Sequence, residues 1–202
     1  MSSRLTSPNP TAVAVAIATS GAGIESAITP QKLLAHAIEN SRDLMFRFLD
    51  GFKDENRTKQ APSLPNHVVW NLGHCALTMH KVAELYLDKL PPPDDHFFEG
   101  DGISGDRTRF DVRSVAWGSV PADNPEIYPT LDRAREIFDH AVGHLAGALR
   151  HASDSKLQQT VTWGHDIKMP LFALVHRMAF HNGTHTGQIV DLRRALNLGQ
   201  VI

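Results

Sequence analysis

Apolar residues recur every three or four positions in four separate stretches of this chain, which is the spacing of one face of an amphipathic α-helix. These stretches run from about residue 29 to 51, 64 to 90, 129 to 151 and 170 to 197. Prolines in several first turns and the three prolines at 91–93 mark helix starts and a helix end. Residues 160–164 (Thr-Val-Thr-Trp-Gly) form a run that is too short for a sheet. We therefore predict an all-α protein with four long helices.

The lengths of the connections predict how these helices are arranged. The polar connection at residues 53–63 is short and favours antiparallel packing of the first two helices as neighbours. Residues 91–124 are rich in Gly, Asp and Pro without a sustained period, which predicts a long crossover loop between the second and third helices. A crossover of this length returns the chain along a bundle. The prediction is a four-helix bundle of up-down-down-up order.

The predicted bundle does not use the whole chain. We assign it to residues 28–202 and expect residues 1–27 to form a flexible N-terminal extension. This segment contains an Ala-rich run together with prolines and glycines. Its apolar part is too short for the middle region of a secretory signal.

Composition excludes several classes of function. Twenty Lys and Arg against 22 Asp and Glu, with no long basic run, argue against a nucleic-acid-binding protein. No apolar stretch reaches the roughly 18 residues that a membrane span needs. Cys75 is the only cysteine and cannot form a disulfide within the chain. We therefore expect a cytoplasmic protein without a membrane partner.

Histidine is the unusual residue, because the chain contains 12 of them. His140 and His144 lie one helical turn apart, and so do His181 and His185. The first pair falls opposite the apolar stripe of its helix, and we expect both of its rings to face solvent. The second pair falls within the apolar stripe of the last helix and is expected to face the core.

Two explanations fit a pair of core-facing imidazoles. A buried polar group without a partner costs about 1 to 3 kcal/mol, so the pair either binds a metal ion or forms hydrogen bonds with neighbours or buried water. A metal site normally needs a third protein ligand, which the second helix offers as His67, His74 or His80. His74 reaches the level of the pair, whereas His67 lies roughly 16 Å away along the axis and His80 points elsewhere.

Two short motifs and two smaller pieces of sequence resemble a known family. Residues 70–74 (Trp-Asn-Leu-Gly-His) and 181–189 (His-Asn-Gly-Thr-His-Thr-Gly-Gln-Ile) are similar to the two motifs of DinB/YfiT-like proteins. Residues 163–164 (Trp-Gly) and 192–195 (Leu-Arg-Arg-Ala) extend the resemblance, which covers most of residues 29–199.

This resemblance implies a four-helix bundle of up-down-down-up order that is often dimeric. It implies a divalent metal ion, nickel or zinc, bound by His74, His181 and His185. Members of the family resemble metal-dependent hydrolases or transferases that use low-molecular-weight bacterial thiols. The resemblance therefore implies a small-molecule substrate, with a bacterial thiol as one candidate.

The first functional hypothesis is a metal-dependent hydrolase or thiol S-transferase, although the residues alone do not establish that the protein is an enzyme. The polar side chains expected nearest the ion are Asn71, Thr78 and Gln188. Trp70 and Leu77 are candidates for the pocket wall. The catalytic residues are unassigned, and Asn182 replaces the glutamate of the zincin motif. If a carboxylate base is needed, Asp101 or Asp106 of the loop is a candidate.

The alternative hypothesis is a non-catalytic metal-binding or stress-response bundle that acts through dimerisation. The last helix carries small residues opposite its histidines, at Ala179, Gly183, Gly187 and Val190. This strip predicts either a homodimer contact or close helix packing within one protomer.

Overall fold

The computed structural model describes residues 28–201, and four long helices make up most of this part of the chain. They are α1 (Pro30–Phe48), α2 (Val68–Tyr86), α4 (Leu131–His151) and α6 (Leu171–Ala195). Two short helices, α3 (Val112–Val115) and α5 (Asp154–Gln158), lie between them. The all-α prediction is confirmed at this level. The predicted extension at residues 1–27 lies outside the described residues.

Local capping explains where these helices begin. The side chain of Thr29 accepts from the backbone N–H of Lys32 and caps α1, and Thr130 caps α4 in the same way. The start predicted for α2 at residue 64 is wrong. His67 caps this helix, because its Nδ1 accepts from the backbone N–H of Trp70 at 3.2 Å. A β-bridge between Ala61 and Leu64 occupies the residues just before it.

The long helices pack in a closed arrangement. Helix α1 packs against α4 and α6, and α2 packs against the same two helices, so α1 and α2 lie across a diagonal. The prediction that the first two helices are neighbours is therefore wrong. The reason is that their connection runs to the start of α4, where Asp54 accepts from the backbone N–H of Leu131 at 3.0 Å. Arg57, which is buried, donates to the carbonyl of Pro129 at 3.0 Å.

The structure also contains short strands, which the sequence analysis did not predict. Strands β3 (Thr160–Trp163) and β4 (Ile167–Pro170) form an antiparallel hairpin before α6. Gly164 has a φ of +65° in the hairpin turn, a conformation that glycine adopts without strain. The two strands pair with each other directly before the start of α6, where the backbone N–H of Leu171 donates to the carbonyl of Gln159 at 2.9 Å, so their shortness did not prevent pairing.

The crossover between α2 and α4 is more ordered than a simple loop. It contains β1 (Phe97–Phe98), which pairs in parallel with β2 (Phe110–Asp111), and the short helix α3. The ring of Phe110 is fully buried against α2. A Cβ added to Gly73 would lie 2.5 Å from this ring, so glycine is required for the close approach. The crossover is thereby fixed onto the helix that carries His74.

No helix among residues 28–201 combines the length and apolar character needed to cross a bilayer.

Candidate metal centre

Three histidines from two helices meet inside the protein. His74 lies on α2, and His181 and His185 lie on α6. The Nε2 atom of His181 is 3.2 Å from Nε2 of His74 and 3.2 Å from Nε2 of His185. All three ligand nitrogens lie within 4.8 Å of one another. The structure thus brings together the three residues that the sequence analysis selected.

The opposite ring nitrogens determine the protonation of two rings. The carbonyl of Val115 lies 2.8 Å from Nδ1 of His74, and a carbonyl can only accept, so Nδ1 carries the proton. Nδ1 of His185 lies 2.7 Å from Oδ1 of Asn71 and 3.0 Å from Oε1 of Gln188, which are also acceptors. In both rings, Nε2 therefore presents a lone pair toward the third histidine.

Burial keeps the three rings uncharged. His74 and His185 are each 7% exposed, and His181 is half-buried. Desolvation, reinforced by the neighbouring imidazoles, lowers the pKa of His181 to about 4 and that of His185 to about 3. Desolvation also lowers the pKa of His74. Neutral imidazole is the form that binds metal ions, so no proton has to be removed at neutral pH.

The donor set fits a divalent transition metal. Two nitrogens bound tetrahedrally at about 2.05 Å lie roughly 3.3 Å apart, close to the 3.2 Å separations measured here. The Nε2 lone pairs of His74 and His185 are both directed at Nε2 of His181, so a cation held by all three nitrogens is compatible with this geometry. Imidazole ligands accept zinc, nickel, cobalt or copper without strong selection. The expectation of nickel or zinc therefore stays a prediction.

A pocket of about 510 Å³ opens beside His74. Its wall includes Leu77 and Thr78 from α2, and Trp70 stacks on the His74 ring with centroids 4.6 Å apart. The hydroxyl of Thr78 donates to the carbonyl of His74 at 2.7 Å. The centre is therefore accessible from one side, through His74, by way of a space large enough for a small molecule.

Several residues of this pocket were missed by the sequence analysis. They are Lys81, Trp117, His165, Asp166 and Arg177. Lys81 follows His74 by two helical turns and Arg177 precedes His181 by one turn, so helical spacing could have identified both. The other three come from the crossover and from the β3–β4 turn, where the sequence contains no comparable signal.

The two carboxylates considered as bases in the sequence analysis serve local structure instead. Asp101 accepts from the backbone N–H groups of Ile103 and Ser104, and these bonds lower its pKa to about 2. Hydrogen bonds from Thr108 and Arg109 likewise lower the pKa of Asp106 to about 2. Neither is among the described residues that line the pocket, whereas Asp166 is.

Other residues near the centre have structural roles. Cys75 is fully buried, as expected for a core residue, and its Sγ lies 4.0 Å from Nδ1 of His181. Burial raises the pKa of this thiol. The side-chain amide of the buried Asn182 donates to the hydroxyl of Ser41 in α1 at 2.9 Å, which ties α6 to α1.

The expectation that both histidines of the α4 pair face solvent is wrong for one of them. His140 is exposed, but His144 is half-buried, and its Nδ1 lies 3.1 Å from Nδ1 of His80. The reason is that α2 packs directly against α4 and brings His80 to this face. His96, from the crossover, completes a second group of histidines with His80 and His140.

Comparisons with known proteins agree with this architecture. No curated protein matches the chain. The crystal structure of a conserved protein from Enterococcus faecalis superposes with a TM-score of 0.63 at 13% identity, covering 85% of this chain and 99% of the other. This likeness shows a shared fold. The model of the DinB superfamily matches residues 37–189. This match includes both motifs and all three histidines of the centre, and the chain therefore belongs to the DinB superfamily.

Proposed function

We propose that this protein is a metal-dependent enzyme, a hydrolase or a low-molecular-weight-thiol S-transferase, with its ion held by His74, His181 and His185. The observation that carries the proposal is the convergence of three Nε2 atoms, with separations of 3.2 Å on either side of His181. Membership of the DinB superfamily supports the same ligand set.

The chain supplies the positioning of the ligands. Val115 orients His74 through a backbone carbonyl, and Asn71 and Gln188 orient His185 through amide oxygens. Such partners fix the tautomer and increase the basicity of the ligating nitrogen. A bound divalent ion would supply Lewis acidity, polarising a substrate atom and easing deprotonation of a thiol or water.

The open pocket favours catalysis over a purely structural ion. A structural site is usually closed by a fourth protein ligand, whereas a catalytic site keeps a position for substrate. Lys81 and Arg177 place two positive side chains on the pocket wall, which suits a substrate with an anionic group. Asp166 and His165 are the pocket's candidates for proton transfer.

We also propose that the four long helices follow the up-down-down-up order and that the protein is a homodimer. The strip of small residues on α6 supports the second point, because a Cβ added to Gly183 or Gly187 would meet nothing within 4 Å. Close packing within one protomer, the competing interpretation, therefore finds no support at these two glycines. Dimerisation without catalysis remains the second candidate function, and it predicts no turnover.

Elemental analysis of protein purified without an affinity tag tests the ligand assignment. Wild type and His36→Ala, a substitution at an exposed position of α1, should contain the same amount of divalent metal. His181→Ala should contain one equivalent less metal per chain. Equal metal content in wild type and His181→Ala would refute the ligand set. Metal-dependent turnover of ester, amide or thiol-transfer substrates would then separate the enzyme from the dimerising bundle.

A further inference from the structure

A second group of histidines lies on a different face of α2 from the first centre. His80 comes from α2, His96 precedes β1, and His140 comes from α4. One ring nitrogen from each of the three lies within 4.8 Å of the others. His74 and His80 are six residues apart on α2, about 9 Å along the helix axis and on different faces. The two groups are therefore distinct.

Two ring nitrogens in this group have unmet hydrogen-bonding capacity. His80 is fully buried and His96 is 7% exposed. Nε2 of His80 and Nδ1 of His96 are both buried and have no hydrogen-bond partner among the described residues. Buried polar atoms nearly always have a hydrogen-bond partner in folded proteins, so two buried nitrogens without partners in one cluster require an explanation.

The other nitrogen of His80 is already engaged. Its Nδ1 lies 3.1 Å from Nδ1 of His144, so one of these two rings donates to the other. Metal-binding histidines commonly use one nitrogen for the ion and the other for such an orienting bond. The Nε2 atom of His80, which has no hydrogen-bond partner among the described residues, is then free to bind a metal ion. Desolvation lowers the pKa of His80 to about 3, which leaves its ring neutral.

The charged residues whose electrostatic effect reaches His96 are paired with one another. Arg133 pairs with Asp95 at 3.2 Å and with Glu136 at 3.1 Å. The available donors are therefore imidazole nitrogens, which favour borderline divalent ions such as zinc, nickel or copper over magnesium or calcium. His140 is exposed and gives such an ion a route from solvent.

We propose that His80, His96 and His140 bind a second divalent transition-metal ion, and that His144 orients His80. This ion would join the crossover segment, through His96, to both α2 and α4. It would stabilise the packing of β1 and β2 on the bundle and would not take part in chemistry at the first centre. The proposal stands independently of the function proposed above.

Titration of metal-stripped, untagged protein with Zn²⁺ against a chromophoric chelator tests this proposal. Wild type should bind two equivalents, and His140→Ala should bind one. His181→Ala should also bind one, and the double variant none. His151→Ala is the matched control, because this exposed histidine lies on α4 outside the group, and it should retain two equivalents. His140 is exposed, so its substitution should preserve the fold.

Two further readouts separate the two centres. In the His181→Ala background, Zn²⁺ should raise the melting temperature, and adding His140→Ala or His96→Gln should abolish this rise. Co²⁺ bound to His181→Ala should give visible ligand-field bands that disappear with His140→Ala. Retention of two equivalents by His140→Ala, or uptake of a single equivalent by wild type that vanishes in His181→Ala, would overturn the second site. If the ligand assignment of the first centre is wrong, His181→Ala should instead bind as much Zn²⁺ as wild type.

Discussion

The Nε2 atoms of His74 and His181 lie 3.2 Å apart, although 107 residues separate the two positions in the sequence. The ring of His74 is oriented by donation to the carbonyl of Val115, and His181 lies one turn from His185 on α6. The relative position of α2 and α6 therefore determines the geometry of the centre. Substitutions that move either helix should change metal binding as well as stability.

Removing an orienting partner should weaken the metal centre without removing a ligand. Asn71→Ala deletes the amide oxygen that accepts from Nδ1 of His185 at 2.7 Å. We expect a 10- to 100-fold loss of Zn²⁺ affinity, as is typical for such partners. Competition titration measures the change. Asn40→Ala, at an exposed position of α1, should bind like wild type, and equal affinity in Asn71→Ala would contradict the orienting role.

The contact between Gly73 and Phe110 should tolerate no side chain. Gly73→Ala places a Cβ about 2.5 Å from a buried ring, which must move. We expect the free energy of unfolding to fall by about 1 to 3 kcal/mol, as for other overpacked cores. Gly143→Ala on α4 is the control, because its Cβ would meet nothing within 4 Å. This control should gain about 0.5 to 1 kcal/mol. Urea unfolding of both variants makes the comparison, and similar effects in both would count against overpacking.

The cap of α2 predicts a loss of stability in acid. Desolvation lowers the pKa of His67 to about 4, from the ordinary 6.5 that it recovers on unfolding. The unfolded chain therefore binds the proton more strongly between these pH values, and acid favours unfolding. This residue alone should lower the free energy of unfolding by about 3 kcal/mol between pH 7 and pH 4. Well above pH 6.5 the ring is unprotonated in both states, and it should contribute no pH dependence.

His67→Asn isolates this contribution. Asparagine retains a cap acceptor but does not titrate in this range. Urea unfolding between pH 7.5 and 4.5 should therefore show a smaller fall in the free energy of unfolding for His67→Asn than for wild type. The variant should still lose some stability, because it keeps the other buried histidines. Parallel curves for the two proteins would show that His67 does not govern the acid sensitivity.

The open face of α6 should form the dimer contact. Phe172 and Phe180 are 40% and 67% exposed on the same side of the helix as Gly183 and Gly187. Apolar side chains beside small ones permit close packing of a second helix. Wild type should sediment as a dimer at micromolar concentration, and Gly187→Glu as a monomer with unchanged circular dichroism. A monomeric wild type in sedimentation velocity would remove the dimer proposal.

Helical periodicity predicted the long helices because each buries one continuous face, and such faces are visible in the order of residues. The same pattern placed His181 and His185 toward the core. It did not predict which helices are neighbours, because Arg57 and Asp54 fix the first connection through contacts with residues more than 70 positions away. Long-range hydrogen bonds of this kind leave no local pattern.

The pocket and the second histidine group could not be predicted from the sequence for a related reason. His144 lies opposite the apolar stripe of α4, and helical spacing alone therefore places it in solvent. Its burial depends on α2 and on the crossover, which bring His80 and His96 to the same surface. The turn that carries His165 and Asp166 contributes to the pocket only after the β3–β4 hairpin has formed.

The carbonyl that orients His74 belongs to Val115, in a segment far from either motif. Insertions or deletions in this crossover would turn the imidazole and reshape the mouth of the cavity while every ligand stayed in place. Homologues with identical histidines can therefore differ in reactivity through loop length alone. Divergence of substrate preference within such a scaffold requires no change to the residues that hold the ion.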